Sequence, residues 1–345
     1  MKIEFKKNFS LTSILVVIYI VSLSTAELKR MDSIDWHSEQ SLKEYAESVL
    51  QKTKARWNIP EQIDDDFIPS IQVLCGTGAI AASFLKDPVI HHEKETNYLE
   101  PPLKNLEDAF DQISFNPDNI YFKAHMTILK TFIEHSHKTK DYFAICPFSH
   151  FDPLDLANQF RGNDLMFDFY DENNADRLHD LLERCTRSIL DMENHIRQNH
   201  LNDCLFPERA VGGCLLSGGT YLSCDIGDMI SPEMLKTYLP YTNKIINQWG
   251  GAFLHHHELG IHQIPTWSES PNLCLQFLNR DPNTRHLAQT IDDTILEHSL
   301  KTPLFFIATP EEFKENAHLW SQGKFIISIN CNSLHEAEEI IATRP

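Results

Sequence analysis

At 345 residues, with 42% hydrophobic and 23% charged side chains, the chain carries enough apolar material for a large core, built either as two ordinary domains or as one α/β barrel. Its net charge of −19 argues against a nucleic-acid binder, because phosphate recognition needs clustered Lys and Arg. No repeat of fixed period and no low-complexity tract is present, which sets aside solenoids and propellers.

The amino terminus reads as separate from the fold. Lys2, Lys6 and Lys7 precede an uncharged run from Asn8 to Ala26 whose apolar heart is Ile14 to Val21, with small residues Ser24 and Ala26 placed as at a cleavage site. That is the pattern of a signal peptide, or of a membrane anchor if residues 8–26 are retained. The bland reading is a misassigned start, with translation from Met31. Residues 1–30 are therefore expected outside the fold and 31–345 as its single domain. The eight cysteines, at 75, 146, 185, 204, 214, 224, 274 and 331, show no CxxC pair. Scattered in a chain this long, they read as reduced thiols and point to the cytoplasm; the amino terminus points instead to export or anchoring.

Next in order, Ser41 to Arg56 reads as an amphipathic helix. Ser41 and Glu44 suggest a capping box, and Leu42, Tyr45, Ala46, Val49 and Leu50 an apolar stripe. Gly76-Thr77-Gly78 follows the apolar run Ile71–Cys75, as a tight turn or as a close backbone approach to a ligand. From about residue 140, short apolar runs alternate with capped helices. The strand-like runs are Tyr142–Pro147, Ala210–Leu216, Gly251–His255, Leu273–Leu278, Leu304–Ala308 and Lys324–Asn330. They lack the outward polar alternation of a half-exposed sheet, as parallel strands covered on both faces do. Asp152-Pro153 and Ser231-Pro232 open helices, the second stopping at Gly250-Gly251. A long helix is expected near Asn174 to Gln198, and Thr309–Glu312 and Ser333–Glu336 read as capping boxes. Strands and helices in this alternation predict a parallel sheet. With no GxGxxG or GxxxxGK[ST] after any strand, a barrel is favoured over a nucleotide-binding open sheet.

Several phrases then resemble the uroporphyrinogen decarboxylase superfamily: Pro153-Leu154-Asp155-Leu156-Ala157 running to Arg161-Gly162, Asp168-Phe169-Tyr170-Asp171, Asp225, Ile230-Ser231-Pro232-Glu233-Met234 leading to Leu239-Pro240-Tyr241, Gly250-Gly251-Ala252-Phe253-Leu254-His255, and a strand ending in Cys331. The resemblance implies one (β/α)8 TIM-type barrel with a deep cleft at the carboxyl ends of its strands. The haem-pathway decarboxylases carry an Arg-rich amino-terminal motif that is not found here. Arg30 and Arg56 are the only arginines before residue 161, too few cations for an octa-carboxylate tetrapyrrole. The chain is thus more similar to the corrinoid-linked methyltransferase branch, which holds zinc with a His-x-Cys pair after one strand and a Cys after a late strand.

Here the matching strand ends in His255-His256-His257-Glu258. Period-two alternation puts Phe253, His255 and His257 on one face and Leu254 and His256 on the other. If both strands run parallel in one barrel, Cys331 emerges at the same mouth. His255, His257 and Cys331 are then the expected zinc ligands, with His257 standing where the family has Cys. A slip of one residue would select His256 and Glu258 instead, and the structural alternative is a rim of solvated histidines and a core cysteine. Asp225 is the expected catalytic or substrate-orienting carboxylate. Asp228 reads equally as a cleft residue or as charge near a helix start; Asp152 reads as a helix cap. His150, Asp228, Gly76 and His262 are candidate substrate contacts, and Trp267 and Phe277 read as core. The expected chemistry is zinc-assisted methyl transfer between a corrinoid, carried by a partner protein, and a thiol or small methylated substrate. A metal-free decarboxylase and a non-catalytic barrel binding protein are the alternatives.

Overall fold

The structure, a computed structural model, describes residues 15–20, 29–57, 63–73, 76–108, 112–141, 143–146, 149–201, 204, 209–211, 214–216 and 219–344. In chain order it contains β1 (Leu15–Ile20), α1 (Glu39–Trp57), β2 (Ser70–Gln72), α2 (Thr77–Ala82), β3 (Ile90–His92), β4 (Asn97–Leu99), α3 (Ile120–Thr139), β5 (Ala144–Cys146), β6 (Ser149–Phe151), α4 (Pro153–Arg161), α5 (Asp164–Asp168) and α6 (Ala175–Asn199). There follow β7 (Arg209–Val211), β8 (Cys214–Leu216), β9 (Thr220–Ser223), α7 (Pro232–Trp249), β10 (Ala252–His257), α8 (Ile264–Trp267), β11 (Leu273–Asn279), α9 (Asp293–Lys301), β12 (Leu304–Ala308), α10 (Pro310–Glu315), α11 (Ala317–Trp320), β13 (Phe325–Cys331) and α12 (Leu334–Ala342). The class is α/β, as expected. Among the described residues no helix is long and apolar enough to cross a membrane.

Seven strands pair in the order β1-β13-β12-β11-β10-β9-β6, and every neighbour pair is parallel. A smaller sheet runs β2-β5-β7-β8. One face of the large sheet is covered by helices: Phe306, Phe325, Ile327 and Ile329 pack with Phe313 and Trp320 of α10 and α11. Each such buried ring or aliphatic side chain stabilises the fold by roughly 1.5–3 kcal/mol. On the other face, Val17, Tyr221, Phe253, Leu275, Phe305 and Ile326 form one cluster with Phe67 and Cys146. Strands buried on both faces need no polar alternation, which is why these runs read as continuously apolar.

Local signals set several boundaries. The Ser231 hydroxyl accepts from Met234 N at 3.2 Å to open α7, and Gly250 closes it at φ 71°, the left-handed region that glycine enters at low cost. Thr309 and Glu312 form the expected capping box. At Ser333 only half forms, because Glu336 accepts from Asn332 N instead. The Ser41–Glu44 box is replaced by Ser38, whose hydroxyl accepts from Ser41 N at 3.2 Å, three residues earlier than expected. The expected strand Ala210–Leu216 is instead a short antiparallel pair, β7 and β8.

The largest departure is at the amino terminus. Residues 15–20, expected outside the fold, form β1 and pair with β13 from Leu15↔Ile326 to Ile20↔Cys331. Val16, Val17 and Ile18 are fully buried. A β-branched run suits a pleated sheet as well as it suits the apolar heart of a leader, and here the sheet receives it. The remainder of the signal-like run, 8–14 and 21–26, lies outside the described residues.

Candidate functional site

Because β9, β10 and β11 are parallel neighbours, their carboxyl ends open on one rim. The register sets His255 opposite Ser223 and Phe277, and His257 opposite Asn279. Alternation turns His255 and His257 toward the face of the Phe253 cluster, while Leu254 and His256 face the helices. Asp225 follows β9 and Asp281 follows β11, so both carboxylates reach the same rim.

There Asp225, His255 and His257 converge, with a ligand atom from each inside 4.8 Å of the other two. Asp225 Oδ1 lies 3.5 Å from His255 Nδ1 and 3.6 Å from His257 Nε2. Donors about 2.0–2.1 Å from one tetrahedral ion stand about 3.4 Å apart. Two imidazoles and a carboxylate at this spacing therefore fit a divalent metal with one position left open. The Ser223 hydroxyl donates to Asp225 Oδ1 at 3.3 Å and lies 3.1 Å from His255 Nδ1.

The surroundings tune these groups. Under His255 lie the rings of Phe277, 5.2 Å away, and Tyr221, 6.2 Å away. Burial against them, helped by the neighbouring His257, pulls its pKa down to about 3, so the ring is neutral at physiological pH, the form that ligates metals. Desolvation also raises the Asp225 carboxyl above the usual range, opposed by His257. Behind it, buried Asp155 accepts from Asp225 N at 3.0 Å and from Ile226 N at 2.8 Å, fixing the turn that carries Asp225. Burial and the nearby Asp225 charge raise Asp155 well above the ordinary carboxylate range.

Cys331 is not brought to this rim. Its parity with Phe325, Ile327 and Ile329 holds, but that face of β13 packs against α10 and α12, and Cys331 is buried there. A strand apolar on both faces carries no mark of which face looks inward, so pattern alone placed it wrongly. Desolvation pushes the thiol up to about 12, which disfavours the thiolate that a metal needs. The slipped pair is also not assembled: buried His256 meets Asp228 Oδ1 at 3.2 Å, while buried Glu258 accepts from Leu287 N and meets His286 Nδ1 at 2.7 Å.

The remaining candidates have local roles. Asp228 Oδ2 accepts from His257 N at 2.7 Å, so Asp228 supports the site rather than lining it. Gly76, at φ 86°, sits where a Cβ would meet Asn97 at 2.4 Å; its space is taken by β4 and not by a ligand. His262 Nε2 contacts Ile230 O at 3.4 Å. The backbone of His150 lies in β6 beside Leu222, and its side chain lies outside the described residues. Asp152 caps α4 by accepting from Leu154 N at 2.8 Å, Trp267 is fully buried and Phe277 packs with the inner cluster.

Asp281, Ser223 and Asp155 were missed. Asp281 Oδ1 stands 2.7 Å from His257 Nδ1. Its signal was present in Arg280-Asp281-Pro282-Asn283 directly after a parallel strand, the place where such sheets put their functional groups.

A scan against protein-family models finds no match, and a search of curated proteins finds no significant relative.

Proposed function

We propose that this chain is an enzyme on a closed (β/α)8 barrel of the uroporphyrinogen decarboxylase kind, with a divalent metal held by Asp225, His255 and His257 at the carboxyl ends of β9 and β10. The barrel reading draws on two junctions. β5 and β6, two residues apart in the chain, belong to the smaller and the larger sheet, and β1 at the far edge of the larger sheet bonds to Asp65 and Asp66, just ahead of β2. The convergence of three ligand atoms on one rim carries the functional reading. The ligand set differs from that of the resembling methyltransferases, an imidazole and a carboxylate standing in for the two thiolates, and this set suits zinc as a Lewis acid.

The reaction proposed is methyl transfer from a corrinoid to a thiol, in which the S–C bond forms as the Co–C bond breaks and cobalt leaves with the electron pair as Co(I). Zinc held by Asp225, His255 and His257 would lower the thiol pKa, so that the substrate would present a thiolate at neutral pH. Asp225 and the two imidazoles orient the sulfur, and the half-exposed edge of Asp225 leaves a route for the thiol proton to water. The inner aromatic cluster excludes water from below and strengthens the local electrostatics. Incubation of the zinc-loaded protein with methylcobalamin and a panel of thiols tests this. The cobalamin spectrum should change with formation of the S-methyl product, and an unchanged spectrum with every thiol would reject methyl transfer. A metal-free carboxy-lyase is the second reading, with the Asp225 carboxylate, beside the two imidazoles on the rim, stabilising a protonated intermediate; release of CO₂ by protein stripped of metal would select it.

A further inference from the structure

We infer that Asp281, on the loop after β11, is the positioning residue that sets the tautomer of His257 and aims its Nε2 at Asp225; the inference rests on the metal reading of that triad. One carboxylate does two things here. Oδ1 lies 2.7 Å from His257 Nδ1, and Oδ2 accepts from Leu259 N at 3.0 Å. Since the carboxylate has no proton to give, the short contact requires a hydrogen on Nδ1, which leaves the Nε2 lone pair facing Asp225. The Leu259 bond prevents the carboxylate from swinging away, and the Thr284 hydroxyl, donating to Asp281 O at 3.1 Å, pins its backbone.

The backbone beneath the imidazole is fixed as well. Asp228 accepts from His257 N, and Gly260 packs so closely that a Cβ there would stand 1.7 Å from Asp228 Oδ1. Ring and main chain of His257 are thus held by separate carboxylates that follow the two flanking strands, while the Ser223 hydroxyl and Asp225 lie near the Nδ1 of His255. A carboxylate behind a ligating imidazole fixes its orientation and raises its basicity, and removing one weakens metal binding 10–100-fold, on the order of measured outer-sphere effects.

Two variants of the full chain, measured with zinc ion alone, decide the matter. Asp281→Ala removes both bonds. In Asp281→Asn the amide oxygen is required by Leu259 N, so the amide N–H faces Nδ1 and drives the ring proton onto Nε2. Competition with a chromogenic chelator should show zinc affinity reduced 10–100-fold in both. Nitrogen NMR of the metal-free proteins should show His257 protonated on Nδ1 in the wild type and on Nε2 in Asp281→Asn, a change that a merely structural role would not produce. Wild-type affinity in both variants, or an Nε2–H tautomer in the wild type, overturns the role of Asp281 and leaves the triad standing. A wild-type chain that takes up no zinc overturns the triad itself.

Discussion

Val16 and Asp66 hold each other by two hydrogen bonds: Val16 N donates to Asp66 Oδ2 at 2.9 Å, and Asp66 N donates to Val16 O at 3.0 Å. One residue pair on, Ile18 N donates to Asp65 Oδ2 at 2.9 Å, and Asp65 is ion-paired with Arg56, whose guanidinium lies 3.7 Å over Phe67. The free edge of β1 is thereby satisfied by carboxylates where a further strand would otherwise be needed.

This makes the amino-terminal segment testable. Ile18 is fully buried among Val16, Ile327 and Ile329, so Ile18→Ala should cost about 2–5 kcal/mol of unfolding free energy. Urea titration checks it. A segment lying outside the fold would leave the midpoint unchanged.

Cys331 provides a control for the metal reading. Buried beneath the helices with its thiol near 12, it should resist alkylation in the native protein and react once unfolded. Cys331→Ala should keep zinc affinity at the wild-type value. Loss of zinc in that variant would restore the cysteine ligand expected from sequence.

Gly260→Ala forces a methyl group into Asp228. Overpacking of this kind costs about 1–3 kcal/mol, measured as a lowered thermal midpoint. Since Asp228 also holds His257 N, zinc binding should weaken in the same variant. A melt identical to wild type would show that the loop has room to shift.

Each shifted group contributes a pH dependence of defined sign. Burial lowers His125 to about 4 and His255 to about 3, so between about 6.5 and 4 the unfolded chain binds protons that the folded chain refuses. Stability should fall as pH drops through that window, by up to ~1.4 kcal/mol per unit for each histidine. Asp152, raised to about 6 by burial, opposes this: between about 6 and 4 its folded form takes the proton that the unfolded carboxyl releases. Asp155 and Asp225 are raised too and act in the same sense as Asp152, so each sign is read from a variant: between pH 7 and 4.5 the urea midpoint of Asp152→Asn should become more acid-labile than wild type, and that of His125→Gln less so. A pH dependence identical to wild type in both variants contradicts the assignment.

Sequence reading succeeded where one local cause decides the outcome. Ser231-Pro232 and Thr309–Glu312 supply their own caps, and Leu304–Ala308 is a strand to the residue. Period two also placed His255 and His257 together and His256 apart. It failed where the answer depends on distant chain. Ser41 could not be told from Ser38 as the cap without the packing of α1. β1 looks like a leader unless β13 and Asp66 are in view. Cys331 carries no local sign of which face of β13 looks inward. Asp281 was visible as a polar residue after a strand, but its meeting with His257 is set by the β10–β11 register alone.

Zinc content of purified, dialysed protein is the most direct measurement. The wild type and Cys331→Ala should each retain close to one zinc per chain, whereas Asp225→Ala and His257→Ala should retain almost none while still melting cooperatively. A wild type free of zinc after loading, or full zinc in both triad variants, would contradict a metal centre built from Asp225, His255 and His257.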